Sequence, residues 1–336
     1  MHKNKTSILK VFSSISQFNS AKKTIVTIGT FDGVHIGHQK IIEKLIQETK
    51  NADCESLILT FFPHPRMVLH ETSSIKLLNT IGEKSCLLEK MGLDNLVIHQ
   101  FDKEFSNLSA EEFVKTILVD AFNIQKIIIG YDHRFGKNRA ANIEDLILFG
   151  EKYEFEVEQI SAQEIDSVSV SSTKIRDAIA NGTMAVANEY LGYDYLLSGK
   201  IILGKQLGRT IGFPTANIKI EENYKLIPKN GVYVVKSHLQ GKTVFGIMNI
   251  GLNPTVNGEN LSIEVHFLDF NADLYNTQIS VSVIARIRDE EKFTSIDLLK
   301  AQIQKDKNYA KSFIEKIVKL PFNNSARPSK STSEGC

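Results

Sequence analysis

Residues 24–50 read TIVTIGTFDGVHIGHQKIIEKLIQETK, and this stretch decides the fold of the first half of the chain. It begins with a short apolar run, 24–29, of the kind that forms a buried strand. A glycine-containing turn follows, and apolar residues from Ile41 to Ile46 then recur on one face of a helix. The stretch therefore predicts a strand, a turn and a helix, with the turn at the carboxyl end of the strand.

The same alternation of strand and helix continues to about residue 160. Four further apolar runs have the length and composition of buried strands: 55–61, 95–99, 125–130 and 155–160. Between them, Thr80 with Glu83 and Ser109 with Glu112 have the spacing of a capping box, which marks the start of a helix. Apolar strands that alternate with helices are typical of a parallel sheet covered on both faces. We expect an α/β domain over residues 1–187.

From about residue 195 the pattern changes to strands without helices between them. Five such runs follow one another: 196–203, 231–239, 243–251, 262–270 and 278–288. Their polar/apolar alternation suits antiparallel strands with one buried face, and closure into a barrel would remove the exposed sheet edges. A helix with apolar residues between Leu299 and Ile317 ends this second domain, which we place at 188–320. The polar tail, 321–336, is predicted to be disordered.

Composition favours a soluble globular protein. The 40 Lys and Arg residues against 39 Asp and Glu leave a formal net charge of +1. So small an excess argues against a protein that wraps nucleic acid, since that function needs a basic face. No apolar run reaches the roughly 18 residues of a membrane span. We expect a cytoplasmic protein with neither nucleic acid nor a membrane among its partners.

The turn after the first strand carries residues suited to binding a nucleotide. His35 and His38 lie one helical turn apart and can donate hydrogen bonds to phosphate oxygens. Glycines at 29, 33 and 37 let the backbone approach phosphates, and the start of the helix offers free N–H groups to anions. A pair of ordinary surface or capping histidines is the alternative. A zinc pair is disfavoured, because no third ligand is suitably placed.

Three further segments of this half have side chains that suit ligand binding. SSTKIR, 171–176, opens a predicted helix with three hydroxyl residues and ends on Arg176, which can grip a phosphate in a fork. FFPHPR, 61–66, and GYDHRFG, 130–136, each follow an apolar strand. Loops at the ends of parallel strands are where a site would be assembled.

In this order, GTFDGVHIGHQ, TFFPHPR, LSAEEFV, GYDHRFG and SSTKIR resemble the FAD synthetase module of bacterial riboflavin biosynthesis proteins. The resemblance implies a Rossmann-like nucleotidylyltransferase domain that transfers the adenylyl group of ATP to FMN and releases pyrophosphate. It implies catalytic roles for His35 and His38. The residues implied to bind ATP are Gly29, Phe31, Asp32, His35, His38, Ser171, Ser172, Thr173 and Arg176. Those implied to bind the flavin are His64, Pro65, Asp132, Arg134, Phe135 and Gly136.

The second half has a nucleotide motif of its own. Residues 204–218, GKQLGRTIGFPTANI, do not form a P-loop, but a glycine-rich loop can cover phosphates through its backbone N–H groups. Thr215 and Asn217 are oxygen donors two residues apart, so on a strand they share a face and suit Mg²⁺. Glu264 can accept a proton from a substrate hydroxyl if its side chain points into the barrel mouth. A solvated outer face is the alternative for this glutamate.

GRTIGFPTANI, GVYVV, MNIGLNPTV, EVHFLDF and RDEEKF, again in this order, resemble the riboflavin kinase domain. That resemblance implies a six-stranded antiparallel β-barrel with a C-terminal helix, which phosphorylates the 5′-hydroxyl of riboflavin with Mg·ATP. It makes Glu264 the catalytic base and assigns the metal to Thr215 and Asn217. The residues implied to bind ATP are Gly204, Lys205, Gly212, Thr215 and Asn217, and those implied to bind the flavin are Asn249, Arg288 and Phe293.

Together the two resemblances predict a bifunctional enzyme that uses ATP and Mg²⁺ to convert riboflavin to FMN and FMN to FAD. Two alternatives stay open. One is another nucleotidylyltransferase built on the same histidine turn, such as a tRNA-charging synthetase, although the KMSKS loop that synthetases pair with HIGH does not occur in this sequence. The other is a flavin-binding regulator whose catalytic sites have decayed.

Overall fold

The structure is a computed structural model that describes residues 8–69, 74–131, 133–161, 170–204, 207–255 and 258–319. The chain divides into two compact units. The N-terminal unit comprises residues 1–77 and 84–171, and the C-terminal unit comprises residues 78–83 and 172–336. The predicted domain boundary at 187/188 stays a prediction, and the predicted disordered tail lies outside the described residues.

The N-terminal unit is built on a sheet of six parallel strands, as the apolar runs predicted. In spatial order the sheet reads β1-β4-β3-β2-β5-β6. The strands are β1 (Lys10–Phe12), β2 (Thr24–Ile28), β3 (Glu55–Phe61), β4 (Asn95–His99), β5 (Ile124–Gly130) and β6 (Glu156–Ile160). The short edge strand β1 was missed, because three residues are too few to show a periodicity.

Helices cover both faces of this sheet. They are α1 (Ile36–Asn51), α2 (Pro65–Leu69), α3 (Ile81–Met91), α4 (Lys103–Ser106), α5 (Ala110–Phe113), which continues as a π-helix (Val114–Ala121), and α6 (Ile143–Tyr153). Neighbouring residues of β2 belong to different cores: Ile25 packs in the cluster that includes Leu45 of α1, and Val26 in the cluster that includes Phe113 of α5. Burial on both faces explains why the strands are continuously apolar in sequence.

The order of the strands places a crevice beside the histidine turn. The chain runs from β2 outward through β3 to β4 on one side, and from β5 to β6 on the other. The boundary between β2 and β5 is therefore a topological switch point, which is where open α/β sheets bind ligands at the carboxyl ends of their strands. The turn 29–35 follows β2, and the loop 131–136 follows β5.

The C-terminal unit contains a closed antiparallel barrel of six strands in the order β10-β11-β8-β7-β12-β9, which confirms the barrel prediction. The strands are β7 (Tyr195–Ile202), β8 (Ala216–Lys219), β9 (Gly231–Leu239), β10 (Lys242–Thr255), β11 (Gly258–Phe267) and β12 (Gln278–Arg288). The helices are α7 (Ser172–Asn181), α8 (Met184–Leu191), α9 (Leu207–Thr210) and α10 (Ile296–Lys319). Within the described residues, no helix is both long and apolar enough to cross a membrane.

The C-terminal helix α10 packs on the outer face of the barrel. Its fully buried Ala310 contacts a cluster that includes Val232 and Val234 of β9 and Ile247 of β10. These strand residues lie opposite one another or two apart, so they share one face of the sheet. The outer face of β9 and β10 is therefore covered by α10.

Candidate functional site

The turn after β2 has a strained backbone. Phe31, Gly33 and Val34 have φ angles of +44°, +86° and +37°. A positive φ is rare for bulky or β-branched residues, and each such residue costs on the order of 1–3 kcal/mol. Strain of this kind persists only where the surroundings determine the conformation, and it clusters at ligand-binding sites.

Packing and hydrogen bonds hold this turn in place. Phe31 and Val34 are almost fully buried. A Cβ atom at Gly29 would lie 3.1 Å from the Phe31 ring, so the glycine leaves room for that ring. Gln39 donates from Nε2 to the Val34 carbonyl at 2.8 Å. The turn that precedes α1 is therefore fixed before any ligand binds.

His35 and His38 stack on each other at the start of α1, with ring centroids 3.6 Å apart. The Nδ1 atom of His35 caps the helix by accepting from the His38 backbone N–H, at 3.4 Å. Because Nδ1 accepts, the proton of the neutral ring is assigned to Nε2, which is then free to donate to a ligand. Among the described residues, the buried Nδ1 atom of His38 has no hydrogen-bond partner. An unpaired buried nitrogen at this place suits a ligand that would satisfy it.

Both histidines are held in the neutral form. Burial lowers the pKa of His35 to about 4. Burial also lowers the pKa of His38 well below its ordinary value of 6.5, and the positive charges that His35 and Lys84 carry when protonated would lower it further. At neutral pH the pair therefore acts through hydrogen bonds rather than through positive charge.

Lys84, on α3, was not identified from the sequence. Its side chain is buried, and Nζ donates to the Thr30 carbonyl at 2.7 Å and to Thr60 Oγ1 at 3.4 Å. Burial lowers the pKa of Lys84 to about 8, against the charge of Asp32, which raises it. One feature of the sequence could have identified it. Lys84 lies one helical turn before Leu88, on the face that is buried, where an apolar residue rather than a lysine is expected.

The remaining residues predicted for this unit occupy the same carboxyl edge of the sheet or its immediate loops. Asp32 is buried within the turn. His64 follows β3 and accepts from the Arg66 backbone N–H at 3.1 Å, so it caps α2, which begins at Pro65. Arg134 is exposed in the loop after β5.

Two residues of the GYDHRFG segment have a structural role, and a third lies outside the described residues. Phe135 is buried in the core, with its ring centroid 6.0 Å from that of Phe113. Gly136 has a φ of +72°, and a Cβ there would lie 3.0 Å from the Ala110 backbone. Asp132 is the residue that is not described. Ligand binding by these positions stays a prediction.

The SSTKIR segment begins a helix, as predicted. Ser171 precedes α7, and Ser172 is its first residue. Ser172 and Arg176 are partly buried, whereas Thr173 is exposed. The helix α7 belongs to the C-terminal unit, whereas the histidine turn belongs to the N-terminal unit. The two groups of residues predicted to bind ATP are therefore described separately.

In the barrel, three predicted residues form a row across adjacent strands. Asn249 of β10 lies opposite Glu264 of β11, and Glu264 lies opposite Asn217 of β8. Residues directly opposite one another on paired strands project from the same face. Thr215 adds a hydroxyl to this row, because its Oγ1 donates to Glu264 Oε2 at 3.1 Å.

The row lies on the outer face of the barrel. Asn249 is also opposite Val232, which packs beneath α10. Ile263 and Val265, on either side of Glu264, are buried and project to the other face. Glu264 is thus partly buried on the outer face, rather than inside the barrel mouth.

Two further contacts shape this row. A Cβ atom at Gly204 would lie 2.3 Å from Asn217 Nδ2, so the amide packs directly on the glycine. His266, two residues after Glu264, was not identified from the sequence. Its Nδ1 lies 2.9 Å from the Pro214 carbonyl, which directly precedes Thr215. Burial lowers the pKa of His266, so its neutral ring can hold the loop that carries Thr215.

The other predicted residues of the barrel stand as follows. Arg288 donates from Nε and Nη2 to the buried Asp306 of α10, at 3.0 and 2.7 Å, and lies 5.9 Å from the Phe293 ring. Gly212 has a φ of +87°. Lys205 lies outside the described residues. Arg288 therefore ties β12 to α10, and its predicted contact with a flavin is untested.

Family models match both halves of the chain. A model described as FAD synthetase matches residues 17–174, and one described as riboflavin kinase matches residues 191–314. The fold and the two sites thus define a two-domain transferase, with a nucleotidyl-transfer unit followed by a kinase barrel.

Curated relatives share both halves in the same order. The bifunctional riboflavin kinase/FMN adenylyltransferase of Listeria monocytogenes is 38% identical over 87% of this chain and 93% of its own length. The Escherichia coli K12 enzyme of the same name is 34% identical over 91% and 98%. The chain belongs to the family of bifunctional riboflavin kinase/FMN adenylyltransferases.

A solved structure also matches almost the whole chain. The crystal structure of a macrolide-efflux protein from Streptococcus pneumoniae superposes with a TM-score of 0.81 at 29% identity, over 90% of this chain and 99% of that one. The two chains share a fold across both units.

Proposed function

We propose that this chain performs two successive reactions on flavins. In the barrel, riboflavin and ATP give FMN and ADP. In the α/β unit, FMN and ATP give FAD and pyrophosphate. The observation that carries the proposal is the presence in one chain of the strained histidine turn at the switch point and of the Thr215–Glu264 contact on the barrel.

For adenylyl transfer, His35 and His38 donate hydrogen bonds to phosphate oxygens as charge develops at the α-phosphate. In the neutral state each imidazole keeps one N–H, so each ring can still donate one hydrogen bond to a phosphate oxygen. Ser171, Ser172, Thr173 and Arg176 stay predicted contacts of ATP. Removal of one such donor costs a transition state about 3 kcal/mol. No covalent intermediate is required, because positioning and charge stabilisation suffice.

For phosphorylation, Glu264 accepts the proton of the riboflavin 5′-hydroxyl as that oxygen attacks the γ-phosphate. Its place on the outer face of the barrel is compatible with this role, because Thr215 and Asn217 lie beside it on the same face. Thr215 and Asn217 would hold Mg²⁺, since a hydroxyl and an amide oxygen beside a carboxylate are the hard donors that this ion prefers. When bound, the metal neutralises charge on the phosphate oxygens. His266 keeps Thr215 in place through the Pro214 carbonyl.

The remaining predicted contacts extend this proposal. ATP is contacted in the α/β unit by Gly29, Phe31 and Asp32, and in the barrel by Gly204, Lys205 and Gly212. The flavin is contacted by His64, Pro65, Asp132, Arg134, Phe135, Gly136, Asn249, Arg288 and Phe293. We place the reactions in the cytoplasm, where ATP is available.

The test is a product analysis with the purified full chain. Riboflavin and Mg·ATP are added, and the flavins are separated by chromatography over time. We expect FMN to appear first and FAD after it, and EDTA to stop both reactions. Aminoacylation of tRNA without flavin products would support the synthetase alternative. Flavin binding without any product would support a regulator.

A further inference from the structure

Lys84 is a buried cation at the base of the histidine turn. Its ammonium donates to the carbonyl of Thr30, the residue immediately before the strained Phe31. The second contact, to Thr60 Oγ1, joins it to the end of β3. Lys84 therefore links α3 to the carboxyl ends of two neighbouring strands of the sheet.

Packing alone does not account for a lysine here. The Thr60 hydroxyl also donates to the Thr30 carbonyl, at 3.2 Å, so an apolar residue at position 84 would leave this carbonyl paired but would remove its shorter contact, the 2.7 Å one from Lys84. Burial of an ammonium is costly, as the lowered pKa of Lys84 reflects, and an unbranched apolar side chain would avoid that cost. A charge kept at such a position needs a reason other than folding.

The surrounding charges connect Lys84 to both parts of the turn. Among the described residues, the ionisable groups that act on it or respond to it are Asp32 and His38. The carboxylate of Asp32 favours the protonated lysine, and the protonated lysine favours the neutral His38. Thr60 and Thr30, its hydrogen-bonding partners, carry no charge.

We propose that Lys84 is a positioning residue for adenylyl transfer: its ammonium holds the Thr30 carbonyl, and with it the turn that presents His35 and His38, and its charge stabilises a triphosphate bound there. This inference rests on the proposed function of the N-terminal unit. It does not make Lys84 a group that touches the reacting atoms.

A titratable cation in this place has a measurable consequence. Because the pKa of Lys84 is about 8 without a nucleotide, about half of the chains carry its proton at pH 8. A bound triphosphate favours the charged form and raises the pKa. Mg·ATP binding at pH 8 should therefore take up as much as about half a proton per site.

The first experiment compares Lys84→Met with Lys90→Met, a matched change at an exposed position on the same helix. Lys84→Met should lower kcat for FAD formation from FMN at least tenfold. It should leave riboflavin phosphorylation by the same chain within twofold, which shows that the C-terminal unit is folded, and calorimetric melting should show that the N-terminal unit is folded as well. Lys90→Met should change neither rate. An unchanged kcat for FAD formation in Lys84→Met would overturn the inference.

The second experiment uses Lys84→Arg, which keeps the charge but does not titrate near pH 8. Mg·ATP binding is measured by calorimetry in buffers of different ionisation enthalpy. Wild type should take up protons at pH 8 and Lys84→Arg should not, while Lys84→Arg keeps more FAD synthesis than Lys84→Met. Equal proton uptake in wild type and Lys84→Arg contradicts the role of Lys84, even if Lys84→Met does not fold.

These outcomes are separate from those of the proposed function. A wild-type chain that makes no FAD from FMN would refute the adenylyl-transfer assignment itself. A wild-type chain that makes FAD, with Lys84→Met equally active, would refute only the role of Lys84.

Discussion

Glu83 and Lys225 form an ion pair in which neither side chain is exposed to solvent, with Lys225 Nζ 2.6 Å from Glu83 Oε2. Lys225 also donates to the Leu78 carbonyl at 2.6 Å. The second carboxylate oxygen of Glu83 accepts from the Ser198 backbone N–H of β7, at 2.9 Å. Both charges are thus hydrogen-bonded by further partners, which is the condition under which a buried pair is tolerated.

Breaking this pair should destabilise the C-terminal unit strongly. Glu83→Gln leaves the Lys225 ammonium buried without its anion, and we expect a loss of about 3–5 kcal/mol in the free energy of unfolding. Because the chain has no tryptophan, hydrogen exchange of peptides from β7 and β9 is the suitable measurement.

The control for this change is Lys229→Met. Lys229 forms an exposed pair with Asp289 at 3.6 Å, and loss of such a pair should cost less than about 1 kcal/mol. If the barrel amides exchange equally slowly in the Glu83→Gln and Lys229→Met proteins, the buried ion pair does not contribute the predicted loss of about 3–5 kcal/mol to the free energy of unfolding.

The two activities should be separable by single substitutions. Glu264→Gln removes the proposed base, so riboflavin phosphorylation should fall at least about 100-fold while FMN supplied to the enzyme is still converted to FAD. His38→Ala should lower FAD formation by a similar factor and let FMN accumulate. Both rates are read by chromatography of flavins. A His38→Ala enzyme that lost only kinase activity would reverse the division of labour between the units.

Gly204→Ala should impair the kinase by moving Asn217. The added Cβ would lie 2.3 Å from the amide nitrogen, so the side chain must leave its place in the row beside Glu264. We expect at least about a tenfold lower rate of riboflavin phosphorylation and a higher Mg²⁺ requirement, since the metal would lose a ligand. FAD formation from FMN should be unaffected.

Gly82→Ala is the matched control for this substitution, because its nearest neighbour would be 3.8 Å from the new Cβ. A Gly204→Ala enzyme with wild-type kinase activity and metal requirement would show that the position of Asn217 is not critical.

The stability of the N-terminal unit should fall in acid because of His35. Its pKa of about 4 lies below the ordinary 6.5, so the unfolded chain binds more protons between these values. The free energy of unfolding should therefore rise from pH 4 to pH 6.5 and then level off, with a contribution from His35 of up to about 3 kcal/mol. Calorimetric melting from pH 4 to 7 should show a flatter dependence for His35→Gln. Parallel curves for the two proteins would argue against a neutral, buried His35.

Local signals in the sequence predicted much of the fold. The bounds of β3, β4, β9 and β12 agree with the apolar runs, because in each strand the side-chain pattern ends where pairing ends. The Thr80–Glu83 capping box is present, with both of its hydrogen bonds at 2.9 and 3.1 Å. Such features depend on residues a few positions apart, so a sequence contains them in full.

What the sequence did not reveal depends on distant partners. Lys84 and Asp306 each interrupt the apolar face of a helix, and Lys225 lies in the segment between β8 and β9, so the local sequence does not reveal the partners of these side chains. Lys225 pairs with Glu83, which is 142 residues away in the sequence. Lys84 donates to the Thr30 carbonyl, whose position depends on the conformation of the turn after β2. The sequence also did not decide whether Glu264 faces the inside or the outside of the barrel. That depends on how the strands close and on which face α10 covers.

The assignment of Leu78–Glu83 to the same compact unit as the barrel has a consequence for dissecting or transplanting the kinase. A fragment cut at 187/188 would keep Lys225 but lose its counter-ion, together with the Leu78 carbonyl that shares the ammonium. The barrel therefore cannot be moved to another protein as one continuous segment of the sequence. A chimera or an isolated kinase would need this hexapeptide supplied in trans or grafted, or a Lys225 replacement that no longer requires it.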